Sequence, residues 1–89
     1  MKELEVQISN RLGLHARAAA RFVHLANRFK ARISVSKENS RVDGKSILGL
    51  LTLAAAKGSR LRLAVDGEDE EQALAELAAL VRGRFGEES

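Results

Sequence analysis

The chain has 89 residues, with 15 Lys/Arg against 12 Asp/Glu and 45% hydrophobic side chains. It has no cysteine, which excludes a disulfide scaffold and a thiolate zinc site. The length suits one small domain, residues 1–89, whose modest core requires helices to share a sheet.

Leu4, Val6 and Ile8 alternate with Glu3, Glu5 and Gln7, the pattern of a half-buried first strand. Ser9 to Leu14 is a loop holding Asn10 and Gly13. From Ala16 to Phe29 the period becomes helical, with Ala19, Phe22, Val23, Ala26 and Phe29 on an inward stripe. Arg17, Arg21, His24 and Arg28 form the opposite stripe. Ile33 and Val35 mark a second strand. Glu38-Asn39-Ser40 is a turn into a short third strand around Arg41-Val42. Ser46 suits the N-cap of a short helix over 47–53. Leu61, Leu63 and Val65 alternate along a fourth strand. Asp69 and Gln72 have the spacing of a capping box, ahead of a helix from Glu70 to Arg82 that Gly83 stops. The order βαββαβα predicts an α+β open two-layer sandwich, with three helices on one face of a four-stranded, mainly antiparallel sheet. The expected core is Leu4, Val6, Ile8, Phe22, Val23, Ala26, Ile33, Val35, Leu50, Leu53, Leu61, Leu63, Val65, Leu74, Leu77 and Val81.

Charge is uneven along these elements. Residues 1–62 hold 13 Lys/Arg and 4 Asp/Glu, whereas 63–89 hold 2 and 8. The basic part suits an acidic partner or an anionic group. Nucleic acid is disfavoured, because Trp and Tyr are absent and two of the three Phe fit core positions. The two histidines sit in different settings with no ligand cluster, so neither a metal nor another cofactor is expected. The start Met1-Lys2-Glu3 has no leader-like apolar run, and the apolar stretch 47–56 is too short to span a bilayer. A cytoplasmic protein with no membrane insertion is therefore expected.

The run Gly13-Leu14-His15-Ala16-Arg17 places an imidazole where a loop becomes a helix. Amides without intrahelical partners and the helix dipole favour an anion there. A lone histidine at a helix start is ordinarily a cap or a solvated side chain. Here Gly13 permits a bend, Ala16 leaves the ring uncrowded, and Arg17 can contact phosphate oxygens. His24 lies mid-helix, where the amides are already used, and is not a second acceptor.

This run closely resembles the active-site signature of the histidine-containing phosphocarrier (HPr) family of the phosphoenolpyruvate-dependent phosphotransferase system. The resemblance extends through Lys45-Ser46-Ile47-Leu48-Gly49, Ala56-Lys57-Gly58 and Gly67-Glu68-Asp69-Glu70, nearly the whole chain. It implies that His15 accepts a phosphoryl group at Nδ1, that Arg17 stabilises it, and that enzyme I is donor and IIA domains are acceptors. The implied carrier is stoichiometric and not a conventional enzyme. Nδ1 also lies on the backbone side of the ring, nearer the amides of the helix start. Attack requires neutral imidazole, the main form of an unperturbed histidine above pH ~6.5. Two positions depart from the family. Ala18 replaces a usual proline, leaving the geometry of the first turn open, and Leu12 replaces a small polar residue.

Ser46 is read first as an N-cap. The matching serine is phosphorylated by a dedicated kinase in many Gram-positive members, so the resemblance also implies a regulatory site. Ile47, Leu48 and Leu51 lie on the outer side of their helix and are expected to form an apolar docking patch. Arg17, Arg21, His24 and Arg28 are its basic rim, and Ala20, Arg21, His24 and Arg28 complete the partner-binding set. The leading expectation is a monomeric phosphocarrier for sugar uptake. The alternatives are a paralogue serving a nitrogen or regulatory branch, or a binding protein read out through Ser46, which would not need His15.

Overall fold

A computed structural model describes residues 1–89. Alternating apolar residues build four strands: β1 (Lys2–Gln7), β2 (Arg32–Lys37), β3 (Ser40–Asp43) and β4 (Arg60–Asp66). They join as one sheet in the order β1-β4-β2-β3 with every pairing antiparallel. The register sets Leu4 opposite Leu63 and Val6 opposite Leu61, and Val35 opposite Leu63. One face is therefore apolar. The other carries exposed Glu3, Glu5, Arg60 and Arg62, with Arg60 4.0 Å from Glu5 and Arg62 3.8 Å from Glu3. Such exposed pairs contribute little stability but leave that face to solvent.

Helices α1 (Ala16–Ala26), α2 (Ile47–Thr52) and α3 (Glu70–Arg82) supply the second layer. Helix α3 packs on β1 and β4, and α1 packs against both other helices. The predicted α+β sandwich and its βαββαβα order are observed. The core runs from Val6 and Ile8 through Phe22, Val35, Leu50 and Leu63 to Val81.

Several expectations need correction. Helix α1 stops at Ala26, not Phe29. The amides of Arg28 and Phe29 reach Leu25 O at 3.0 Å and Ala26 O at 3.1 Å, the three-residue spacing of a tightened last turn. That tightening still buries Phe29. Helix α2 ends at Thr52, with Leu53 as its C-cap. Leu4 and Leu74, expected in the core, are only partly buried. All three phenylalanines are buried, not two.

The capping box does not form. Asp69 makes no side-chain cap bond to α3. Its carboxylate instead accepts from the amides of Lys30 (2.8 Å) and Ala31 (2.9 Å). Those two donors of the α1–β2 connection compete successfully for it. The Lys30 amide foremost, then that of Ala31, holds the Asp69 carboxyl below its usual range despite some desolvation. Gln72 turns to Glu76 at 2.8 Å. Glu70 accepts from the Gly67 amide at 3.1 Å and so covers the entrance to the helix.

Gly83 ends α3, but the chain does not run free. A single turn, η1 (Arg84–Gly86), follows. Arg84, Phe85 and Gly86 are all left-handed, with φ of 59°, 54° and 81°. For two non-glycine residues this conformation costs about 1–2 kcal/mol each. The turn drives Phe85 wholly into the core, a burial of the size that offsets such strain. It also returns the last residues to the start of α1.

Candidate active site

Gly13 adopts φ 67°, and a Cβ there would lie 2.4 Å from Ala55 O. Only glycine fits, because the chain bends left-handedly while pressed against another backbone. The neighbouring Leu14 amide bonds to Ala55 O at 2.8 Å, and its side chain is buried. These contacts deliver His15 as the N-cap of α1, in extended conformation.

His15 Nδ1 accepts from the Arg17 amide at 3.3 Å. This bond is long for N–H···N and inexpensive to give up. The amides of Ala16 and Ala18 donate to no protein acceptor. A proline at position 18 would therefore forfeit no bond, and the alanine there is wholly buried. Arg17 itself is exposed, its guanidinium free to swing over the ring.

The other ring nitrogen has a partner that the sequence did not announce. Nε2 lies 2.6 Å from Glu87 Oε2, with side-chain exposures of 24% for His15 and 13% for Glu87. Glu87 Oε1 accepts from Asn10 Nδ2 at 2.9 Å, and the same Nδ2 donates to Gly13 O at 2.8 Å. Both partners of that nitrogen are acceptors, which fixes the orientation of the buried amide. Asn10 is fully buried. Its amide foremost, then the bond and charge of His15, then the charge of Arg21, hold the Glu87 carboxyl below its usual range against desolvation. Since Nδ1 accepts, Nε2 carries the proton and donates it to the carboxylate.

Arg21, expected in the docking surround, donates through Nη1 to Phe85 O at 2.6 Å. It ties the terminal turn to α1. Arg11, Leu12, Arg17, Arg21 and residues 86–89 line a shallow cleft beside His15. Ala20, His24 and Arg28 are exposed on α1. Across the α1–α2 contact, Ile47 and Leu48 are 40% and 77% exposed, while Leu51 is half-buried against the core. Leu12 adds a further exposed apolar side chain by the ring. Ser46 is the N-cap of α2, its Oγ accepting from the Gly49 amide at 3.0 Å.

Sequence reasoning singled out His15 and Arg17 and passed over Asn10 and Glu87. A faint signal existed. An aromatic residue, Phe85, stands two places beyond the helix-stopping Gly83, and a phenylalanine there calls for burial and so for a chain that folds back.

A family model described as "PTS HPr component phosphorylation site" matches residues 2–83. Phosphocarrier protein HPr of Neisseria meningitidis serogroup A is 49% identical over 87 residues, covering 98% of each chain. The crystal structure of HPr-C-His from Thermoanaerobacter tengcongensis superposes with a TM-score of 0.96 at 44% identity, covering 100% of both chains. A structure described as an HPr dimer from the same organism matches at a TM-score of 0.78, covering 98% of this chain and 100% of that one.

Proposed function

The chain belongs to the HPr family of phosphocarriers of the phosphotransferase system, and on that premise we propose that His15 carries the phosphoryl group on Nδ1. The observation that carries this assignment is the 3.3 Å approach of the Arg17 amide to Nδ1, which aims that lone pair at the open end of α1. As phosphorus approaches, the weak amide bond is released. The same amide, with that of exposed Ala16, is then positioned to donate to phosphoryl oxygens. Helix dipole and backbone donors stabilise the developing charge without a metal. Arg17 adds a mobile charge-assisted contact. Little covalent chemistry is asked of the protein, since in-line placement and charge stabilisation do most of the work.

Enzyme I charged from phosphoenolpyruvate is the donor in this reading, and a IIA domain for sugar uptake is the acceptor. Ile47, Leu48 and Leu51 form the apolar centre of docking, and Arg21 and Arg28 flank it with positive charge beside Ala20 and His24. The complexes are transient and small in area. The carrying form is one copy of residues 1–89 acting as one domain, because His15, Arg17, Asn10 and Glu87 all come from the same chain. No helix is long and apolar enough to cross a membrane, in keeping with a cytoplasmic carrier. Ser46 is a regulatory site in the same reading. A phosphate on its Oγ is compatible with the start of α2, yet places charge beside exposed Leu48 and repels acidic partners.

Incubation with enzyme I and labelled phosphoenolpyruvate tests the reading. Acid-labile label is expected on the intact chain and none on His15→Ala. Acid-labile label retained by that variant would contradict His15 as the acceptor, and an intact chain that takes up no acid-labile label would favour the Ser46-centred alternative.

A further inference from the structure

The terminal turn is strained, anchored and aimed at the active site, and it lies beyond the matched residues 2–83. Three separate contacts hold it there. Phe85 fills the core, Arg21 Nη1 bonds to Phe85 O at 2.6 Å, and Asn10 Nδ2 bonds to Glu87 Oε1 at 2.9 Å. Left-handed non-glycine backbone persists only where its surroundings over-determine it. The result of this construction is one carboxylate oxygen placed 2.6 Å from His15 Nε2.

We propose that Glu87 is a positioning residue for phosphotransfer: its carboxylate keeps the Nε2 proton on the ring before, during and after Nδ1 is phosphorylated. The inference rests on His15 being the acceptor. In the uncharged protein the contact fixes the tautomer with its lone pair on Nδ1. In the accepting step that lone pair forms the N–P bond, the bond from phosphorus to the donor breaks, and its electron pair leaves with the donor. The Nε2 proton stays, so the ring becomes a cation, paired with the Glu87 carboxylate. On delivery the N–P bond breaks, its electrons return to Nδ1, and the ring leaves as neutral imidazole. Had the proton been lost, the leaving group would be an imidazolide, which is far poorer. The carboxylate therefore preserves the capacity to donate.

The charges around the ring agree with this division of labour. Arg17 and Arg21 come from α1 and Arg11 from the preceding loop, all on the cleft side with residues 86–89. Glu88 and Ser89 belong to the same cleft rim. Only Glu87 is within hydrogen-bonding distance of Nε2.

The test charges the full chain with phosphoramidate, a small donor that needs no docking, and compares wild type with Glu87→Gln, Glu87→Asp and His15→Ala. Imidazole 15N spectra of the phosphorylated protein at neutral pH are expected to show a protonated, pyrrole-type Nε2 in wild type. In Glu87→Gln that nitrogen shifts toward the unprotonated, pyridine-type position. Delivery to a IIA domain should slow about ten- to hundredfold in Glu87→Gln, as expected for losing a hydrogen bond to a charged group. KM for that domain stays unchanged, and Glu87→Asp recovers part of the rate. Equal Nε2 protonation in wild type and Glu87→Gln, or delivery by Glu87→Gln at the wild-type rate, would overturn the proposal. Phosphorylation of His15→Ala would instead overturn the assignment of the acceptor, a separate failure.

Discussion

Helices α1 and α2 begin alike and are capped differently. Each has a side chain as N-cap that accepts an amide of its first turn, Nδ1 of His15 at 3.3 Å and Oγ of Ser46 at 3.0 Å. The Ser46 bond has ordinary length and closes its helix end. The His15 bond is long, the amides beside it are free, and the far side of the ring is held by Glu87 at 2.6 Å. A cap that serves stability is made tight and self-contained. In the proposed reading, a cap that serves chemistry is loose on the reacting atom and firm on the opposite one. Helix α3 supplies a third outcome, in which the cap residue Asp69 is diverted to bind the loop before β2.

The sharpest way to break this contrast is to remove each cap in turn. His15→Ala should abolish phosphotransfer in a coupled assay, whereas Ser46→Ala should keep it within about twofold, since the loss of a cap is a stability effect. Equal kinetic losses would show that the two ends are not specialised. Next in size is Gly13→Ala. Its Cβ would meet Ala55 O at 2.4 Å, and the strain should lower stability in urea by about 1–3 kcal/mol. Transfer should fall too as the ring is displaced. Leu48→Glu comes third, with transfer slowed about tenfold and an unchanged urea midpoint, because an exposed side chain contributes little to folding. Ser46→Ala then costs about 1 kcal/mol of stability, read from the same urea curves.

The smallest effect concerns pH. The Asp69 carboxyl is depressed below 3.8 in the folded chain. Its stabilising contribution is thus fully present above that value and fades as pH falls through the folded value. Asp69→Asn should be less stable than wild type at neutral pH, and the two acid-unfolding curves should converge as pH falls through the folded value of the carboxyl. A constant difference across that range would detach the effect from ionisation.

The sequence disclosed whatever local pattern controls. Alternation at Leu61, Leu63 and Val65 and the stripe through Ala19, Phe22, Val23 and Ala26 located sheet and core correctly, because each is set by its own burial. Gly13-Leu14-His15-Ala16-Arg17 singled out the ring at the start of α1 for the same reason. The misreadings all involve competition between distant groups. The Asp69 spacing promised a capping box, but amides 39 and 38 residues away take the carboxylate. Phe29 continued the helical stripe, yet the last turn tightens before it. Glu87 lies 72 residues from His15, and neither residue carries a pattern that points to the other. Only the burial demand of Phe85 links them.

The most direct test of the account is a 31P–15N coupling measurement on the phosphorylated chain carrying 15N-labelled histidine. The account predicts a one-bond coupling to Nδ1 of His15. Coupling to Nε2, which Glu87 covers, or phosphorus found on any other residue would contradict it.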